Sequence, residues 1–591
     1  MNVNKIDYSW RYRAIGVVMT TLALLIMIQI VRIQISPETP KLSDEGEAAT
    51  QELRFIRPAR GLIYDRWGHI LAANKTVYEV GAELINVENP ETIALELTSI
   101  LHVDYETIFK LASTPPNTET YTVRLHFPVT EEQKQQIEDR AEYFESVITD
   151  KDNDIKRPSL RGLVFTPLWL RTYPEKTLAS NILGYVNYDG QGVFGVEERY
   201  DYLLNVNQQT IRVSLDPTQV EALPQIHKGA SLELTIDREM QAAMELLLDQ
   251  ALADTGSEGG VIAVMDPKTG EILALATTPR MDPNEFWNLR KVFPPNTAFN
   301  KAISQPYEPG SVFKVLTMAA GLDSGVVKPG TEFTDTGIFE IGGIYIYNWN
   351  RAAWGRQDMI GCMEHSLNVC LAWIASKLGK EKFYTYMQAF GFGHTTGVDI
   401  AGEKAGRLKI PGDFDWFDSE LGTNAFGQGI TVTPLQMLAA LSAVTNNGKM
   451  VSPHIVRAII DQGYQYVIPY QVTSIPITGK TARTLTEMLA KSLENEASVA
   501  LVEGYRVAGK TGTGEIAVPG IGYGGDLTNA SFAGWGPVDD PRFLVYVWLE
   551  KPKTSIWGSV VAAPLFREVV NRVVVYLKLP PDEIRQKLAG Q

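Results

Sequence analysis

Residues 14–31, AIGVVMTTLALLIMIQIV, form a run of eighteen positions without a charge near the start of the chain. A helix apolar on every face has no side to turn to water, and eighteen residues lie at the lower limit for crossing a bilayer core of ~30 Å. Lys5, Arg11 and Arg13 precede the run, Arg32 follows at once, and the chain then turns acidic at Glu38, Asp44, Glu45 and Glu47. Basic flanks are retained on the cytoplasmic side. The pattern therefore predicts a cytoplasmic tail over 1–13, an anchor over 14–35 and everything else outside. No small-x-small cleavage site follows, so the run reads as an uncleaved anchor rather than a signal peptide.

The rest of the 591 residues is too long for one ordinary domain. Hydrophobic residues make up 45% of the chain, enough for large cores, and a net charge of −15 argues against nucleic acid as a partner. The two cysteines, Cys362 and Cys370, fall in a helix-like segment. Along a continuous helix they would stand about 12 Å apart, beyond disulfide reach, so they are expected to be buried thiols.

Residues 36–52, polar with Pro37 and Pro40, read as a linker. A mixed region over 53–230 holds a strand-like run at 78–85 and a helix-like segment, rich in Glu and Gln, at 130–148. A third region, 231–585, opens with an alternating strand at 232–236. Asp237 then caps a helix that places Met240, Ala243, Met244, Leu247, Leu248 and Ala251 on one face. Residues 260–265 and 271–276 form a hairpin whose tip carries Lys268-Thr-Gly270, read as turn chemistry. A helix-rich stretch follows over 311–447, where Thr433-Pro-Leu-Gln436 is a capping box with Pro at the first helical position. Strands return at 530–535 and 543–549, an apolar helix covers 564–577, and 586–591 is left as a tail. The fold class is α+β: one antiparallel sheet with a helical subdomain.

Three short polar signatures lie in that third region: Ser311-Val-Phe-Lys314, Ser366-Leu-Asn368 and Lys510-Thr-Gly-Thr513. Each alone is weak; their order and settings make a serine acyl-transfer site with a lysine base. Glu308-Pro-Gly-Ser311 opens a helix, which puts the serine hydroxyl and N–H at the positive end of the helix dipole. Lys314 is on the same face. It can take the serine proton only when neutral, which requires burial and a nearby cation, and Lys510 is the candidate cation. Ser366 and Asn368, before an apolar helix, suit a polar edge lining a cleft; Ser366 could relay a proton and Asn368 hold a peptide amide. His365 reads as a solvated or capping residue. The third signature reads as a strand, with Gly512 allowing close approach and Lys510, Thr511 and Thr513 forming a carboxylate dock.

The ordered set resembles the penicillin-binding protein and serine β-lactamase superfamily, and the rest of the chain is similar to its class B penicillin-binding proteins. Arg57-Pro-Ala-Arg-Gly-Leu-Ile-Tyr-Asp-Arg-Trp-Gly68 resembles that class's membrane-proximal signature. Arg171-Thr-Tyr-Pro174, Gly184-Tyr-Val-Asn187 and Gly195-Val-Glu197 resemble motifs of its elongated pedestal (dimerisation-like) domain. Phe426-Gly-Gln-Gly429 resembles a transpeptidase motif. The resemblance implies D,D-transpeptidation of peptidoglycan stem peptides, with D-Ala-D-Ala as donor and an amine as acceptor. In it Ser311 is the nucleophile and Lys314 its base. Ser366 and Asn368 line the cleft, and Lys510, Thr511, Gly512 and Thr513 hold the donor carboxylate. The backbone N–H groups of Ser311 and Thr513 form an oxyanion hole. It also implies β-lactams as inhibitors, a SEDS-type glycan polymerase and other wall-assembly proteins as partners, and residence in the bacterial cytoplasmic membrane.

Two departures stand out. The pedestal lacks the usual glycine-rich ending after Leu204, reading Asn-Val-Asn-Gln-Gln. The zinc site of some relatives is met only by Asp335, Asp358, Cys362 and His365, without a ligand pattern, so no metal and no cofactor are expected. Two other functions compete: a D,D-carboxypeptidase or β-lactamase-like hydrolase, in which water resolves the ester, and a non-catalytic scaffold or β-lactam sensor. The long pedestal suits wall assembly, and the short tail is far below the size of a signalling domain.

Overall fold

The computed structural model describes residues 9–36, 51–56, 58–116, 121–147, 157–206, 209–214, 227–496, 498–518, 520, 522–523 and 527–589. Lys5, the prolines and acidic residues of the linker, Arg57, Asn207, Gln208 and the end of the C-terminal tail lie outside the described residues.

The chain divides into two compact units. The first, 1–58 with 207–227, contains helix α1 (Ser9–Ile35) and a strand pair, Gln51–Ile56 with Gln209–Ser214, antiparallel from Gln51↔Ser214 to Ile56↔Gln209. None of α1 is buried. The two threonines in it, Thr20 and Thr21, donate their hydroxyls back to the carbonyls of Gly16 and Val17 at 2.8 Å, so both hydroxyls are satisfied within the helix, as a bilayer demands.

In the second unit, 59–206 with 228–591, a long strand (Ile70–Glu83) pairs antiparallel with Thr122–Val129 and Leu163–Thr172. The strand expected over 78–85 is the end of this longer one, closing in a 3-10 turn, Leu84–Asn86. Helices Pro90–Leu101, Tyr105–Ala112 and Glu131–Val147 pack Ile93, Leu97, Ile108 and Ile137 against Val80, Leu125 and Val129. Through Ile63–Tyr64 the same sheet continues to Ser231–Leu234 and Val456–Asp461. It thus crosses residue 230, and this is why 59–206 and 228–591 are one compact unit.

Within 228–591 the elements that bear on the site are α2 (Arg238–Thr255), β1 (Gly259–Met265), β2 (Ile272–Thr277), α3 (Lys314–Asp323), α4 (Met359–Glu364), α5 (Asn368–Leu378), α6 (Pro434–Thr445), α7 (Gly479–Glu496), β3 (Ala508–Glu515), β4 (Thr528–Gly536), β5 (Phe543–Glu550) and α8 (Gly558–Tyr576). The five strands form an antiparallel sheet in the order β2-β1-β5-β4-β3. On one face α2 and α8 pack Met240, Met244, Leu248 and Phe566 against Phe532 and Phe543. The other face, with Trp535, Tyr546 and Trp548, meets the helical subdomain. All residues of α6 are buried, which explains its lack of a polar face.

Asp237 caps α2 by accepting from Met240 N at 3.0 Å, and Thr433 and Gln436 form the expected capping box. Two expectations need correction. Helix α8 begins at Gly558, not at 564: Pro564 lies inside it, because the helix also buries Val561, Ala562 and Ala563 ahead of the proline. The helix-rich stretch also holds two small hairpin-like sheets, Phe333–Asp335 with Gly355–Gln357 and Ile338–Ile341 with Ile344–Tyr347.

Candidate active site

Ser311 sits in a 3-10 turn, Gly310–Phe313, that runs directly into α3 at Lys314; the helix start expected at the serine is tighter than an α-helix. Two glycines let this turn lie against its neighbours. A Cβ on Gly427 (φ +83°) would meet the Gly310 backbone at 2.3 Å, and Gly310 N donates to Gly427 O. On the other side a Cβ on Gly512 would meet Val312 Cγ2 at 2.6 Å, so strand β3 presses directly on the turn that carries the serine. Ser311 is half-buried and Lys314 is fully buried.

The second signature reaches Lys314 from a turn between two helices. Lys314 Nζ donates to Ser366 O (2.6 Å) and Asn368 Oδ1 (2.7 Å) and lies 3.1 Å from Ser366 Oγ. A neutral amine has two N–H donors and one lone pair. The two carbonyl-type oxygens use the donors, and a hydroxyl proton suits the lone pair. Ser366 has φ +52°, a left-handed conformation that costs a serine about 1–2 kcal/mol. It follows α4 in a Schellman turn: Leu367 N donates to Cys362 O (3.0 Å) and Ser366 N to Met363 O (3.3 Å). Leu367 is then extended, and α5 starts at Asn368.

This turn overturns the expectation for the cysteines. The helix they were placed in is broken at 365–367, the chain folds back, and Cys362 and Cys370 form a disulfide with Cα atoms 6.1 Å apart. Spacing along one continuous helix was the wrong measure.

Along β3, Lys510 and Gly512 are buried and Thr511 and Thr513 half-buried. Lys510 Nζ donates to Thr511 Oγ1 at 3.2 Å. Thr513 Oγ1 accepts from Gly558 N at 3.1 Å, which leaves its proton to donate to an anion. Burial, and after it the charge of Lys510, push the Lys314 amine well below the ordinary lysine range. The structure thus brings Ser366 and Asn368 onto Lys314, sets β3 against the serine turn at Gly512, and places Lys510 near enough to act on the Lys314 charge.

Other residues fall elsewhere. Lys268, in the second Lys-Thr-Gly, pairs with Asp540 at the exposed hairpin tip. His365 stacks on Trp354 with ring centroids 4.1 Å apart. Asp335 accepts from Asn348 Nδ2 and Trp354 N, and Asp358 caps α4 through Gly361 N. No group of three or more residues suited to a metal ion occurs among the described residues.

Sequence reading missed an aromatic pair at the cleft. Trp349 Nε1 donates to His365 O, beside Ser366, while Trp557 precedes the glycine bonded to Thr513. The two rings meet edge to face at 5.3 Å, one from each wall. Isolated tryptophans in loops carry no spacing signal that would have found them.

Comparison with known proteins gives the family and the fold. The penicillin binding protein transpeptidase domain family matches residues 260–571, and the penicillin-binding protein dimerisation domain family matches 55–219. The chain is 31% identical over 549 residues to Stage V sporulation protein D of Bacillus subtilis, covering 90% of this chain and 81% of that one. It is 27% identical over 594 residues to peptidoglycan D,D-transpeptidase FtsI of Escherichia coli, covering 98% and 93%. Its fold is similar to the crystal structure of penicillin binding protein 3 from Mycobacterium tuberculosis complexed with aztreonam. The TM-score is 0.67 at 24% identity, over 90% of this chain and 98% of that one.

Proposed function

The chain belongs to the class B penicillin-binding proteins, which are peptidoglycan D,D-transpeptidases, and from that premise we propose that it acts through an acyl-enzyme on Ser311. The observation that carries this reading is the convergence on Lys314 Nζ of Ser366 and Asn368, one helical turn after the serine and beside Lys510.

The neutral Lys314 amine accepts the Ser311 hydroxyl proton as Oγ attacks the carbonyl between the two D-Ala residues of a donor stem peptide. The N–H groups of Ser311 and Thr513 hold the developing oxyanion, a contribution of about 3 kcal/mol in comparable sites. Lys510, Thr511 and Thr513 dock the terminal carboxylate, with Gly512 leaving room for the donor backbone. The proton returns from Lys314, through the Ser366 hydroxyl, to the leaving amine, and D-Ala departs. A neighbouring stem's amine then attacks the ester, forming the crosslink and freeing Ser311. A β-lactam resembles the donor and acylates the same hydroxyl.

Helix α1 is the single-pass anchor, with the basic N-terminal side in the cytoplasm and the catalytic part outside. The Cys362–Cys370 disulfide supports this orientation, since such bonds persist in oxidising compartments. Glycan polymerisation is assigned to a SEDS-type membrane partner. Residues 53–230 serve as the pedestal and 231–585 as the transpeptidase domain.

The test is full-length protein in detergent, incubated with labelled penicillin and followed by intact mass and peptide mapping. A long-lived adduct on Ser311, absent in Ser311→Ala, is expected. Rapid turnover of the adduct would favour the hydrolase, and absence of any adduct would refute the acyl-enzyme.

A further inference from the structure

Ser366 and Asn368 reach Lys314 from a turn that is closed covalently on its buried side. Cys362 is the residue of α4 whose carbonyl receives the outer hydrogen bond of the Schellman turn, and Cys370 lies in the first turn of α5. Their disulfide therefore spans the segment 363–369, which contains the left-handed Ser366. Both cysteines are wholly buried, whereas Ser366 and Asn368 present their oxygens to Lys314. Left-handed backbone is disfavoured for serine. Relaxation to negative φ would swing the Ser366 carbonyl off Nζ and shift Asn368 with it.

We propose that the Cys362–Cys370 disulfide is a positioning element of the acyl-transfer site, fixing α4 against α5 so that Ser366 O, Ser366 Oγ and Asn368 Oδ1 converge on Lys314 Nζ, and that the oxidised protein is the form competent for acylation. The proposal rests on the reading of Ser311 as nucleophile. Non-covalent contacts also brace this segment: Trp349 Nε1 to His365 O at 3.2 Å and Asn368 Nδ2 to Tyr347 O at 3.0 Å, both at exposed groups open to competition from water, the His365–Trp354 stack, and the buried Val369 N to Asn348 Oδ1 at 3.2 Å. Beyond the backbone, the cross-link alone joins α4 to α5 covalently. Opening it takes a dithiol: the S–S bond breaks, two electrons and two protons pass to the cysteines, and the dithiol closes to its own disulfide.

The test uses full-length protein in detergent and a chromogenic β-lactam, separating the acylation rate constant from the dissociation constant of the preceding complex. In Cys362→Ala/Cys370→Ala, measured below its melting midpoint, the rate constant is expected to fall at least ~10-fold. The dissociation constant is expected to change by less than the rate constant, because the carboxylate dock on β3 is untouched. Wild type reduced by a dithiol, with two thiols counted by alkylation, is expected to show the same split and to recover fully on reoxidation.

A wild-type rate constant in the double variant would overturn the proposal, as would two free thiols in active protein as isolated. Should the double variant fail to fold, reduced wild type decides by the same split: an unchanged rate constant overturns, and a reversible fall supports. Failure of oxidised wild type to acylate at Ser311 would instead defeat the reading on which the proposal rests.

Discussion

Two clusters of buried charge in this protein are built on opposite rules. Beside the strand Leu163–Thr172, Glu197 is wholly buried between Arg171 and Arg60, each bonded at 2.7 Å; Tyr173 also donates to Glu197, and Arg60 also reaches Asp201 at 2.6 Å. Burial pushes the Glu197 carboxyl up, but Arg171 and Arg60 outweigh it and hold the group below the ordinary range. In the cleft, Lys314 is equally buried, its hydrogen-bond partners are uncharged oxygens, and the charge that acts on it is another cation, Lys510. The first cluster sets opposite charges against one another and ties Arg60, Arg171, Tyr173, Glu197 and Asp201 together within 59–206. The second sets a cation near a buried amine, which shifts that amine toward its neutral, proton-accepting form. Opposite charges in contact mark structure here, and a cation set near a buried amine marks the candidate chemistry.

Lys314→Arg should break the chemistry outright. Arginine stays protonated and cannot serve as base, so acylation by penicillin, measured below the melting point of the variant, should fall by about 10²–10⁴-fold. Glu197→Gln should do the reverse. Arg171 loses its counter-charge and Arg60 keeps only Asp201, costing about 3–5 kcal/mol in denaturant unfolding. Acylation measured below the melting point should not change. Because the Glu197 carboxyl is depressed, its contribution is present above the ordinary glutamate range and lost as pH falls through the folded value, so the deficit of the variant should shrink in acid.

Lys510→Gln sharpens the comparison. Removing the cation lets the Lys314 value rise, so the acid limb of the acylation profile should move to higher pH, and penicillin binding should weaken ~10-fold or more with loss of the carboxylate dock. The smallest effect is expected for Lys268→Ala. Its ion pair with Asp540 is exposed, so stability should change by about 0.5 kcal/mol or less and acylation not at all.

Much of this was legible in the sequence because local chemistry decided it. The Thr433 capping box, the Asp237 cap and the hairpin around Lys268 depend on neighbours within a few residues, and all three stand as read. The three signatures could be named as a set, but spacing could not say how the second meets the first. That depends on a serine held at positive φ, a conformation its residue type disfavours. The same turn defeated the cysteine argument, since a distance along an assumed helix means nothing once the helix breaks. Pro564 misled for a related reason: proline favours a helix start, but burial of the residues before it extends the helix through it. Tertiary packing won over local preference at both places, and one of them is the active site.

The most direct measurement is the titration of Lys314 itself, by NMR of protein carrying 13C at lysine Cε, with the resonance assigned by its loss in Lys314→Arg. The neutral-base reading predicts a midpoint well below the ordinary lysine value of about 10.4. A midpoint at or above that value would leave Ser311 without its base and contradict the assignment.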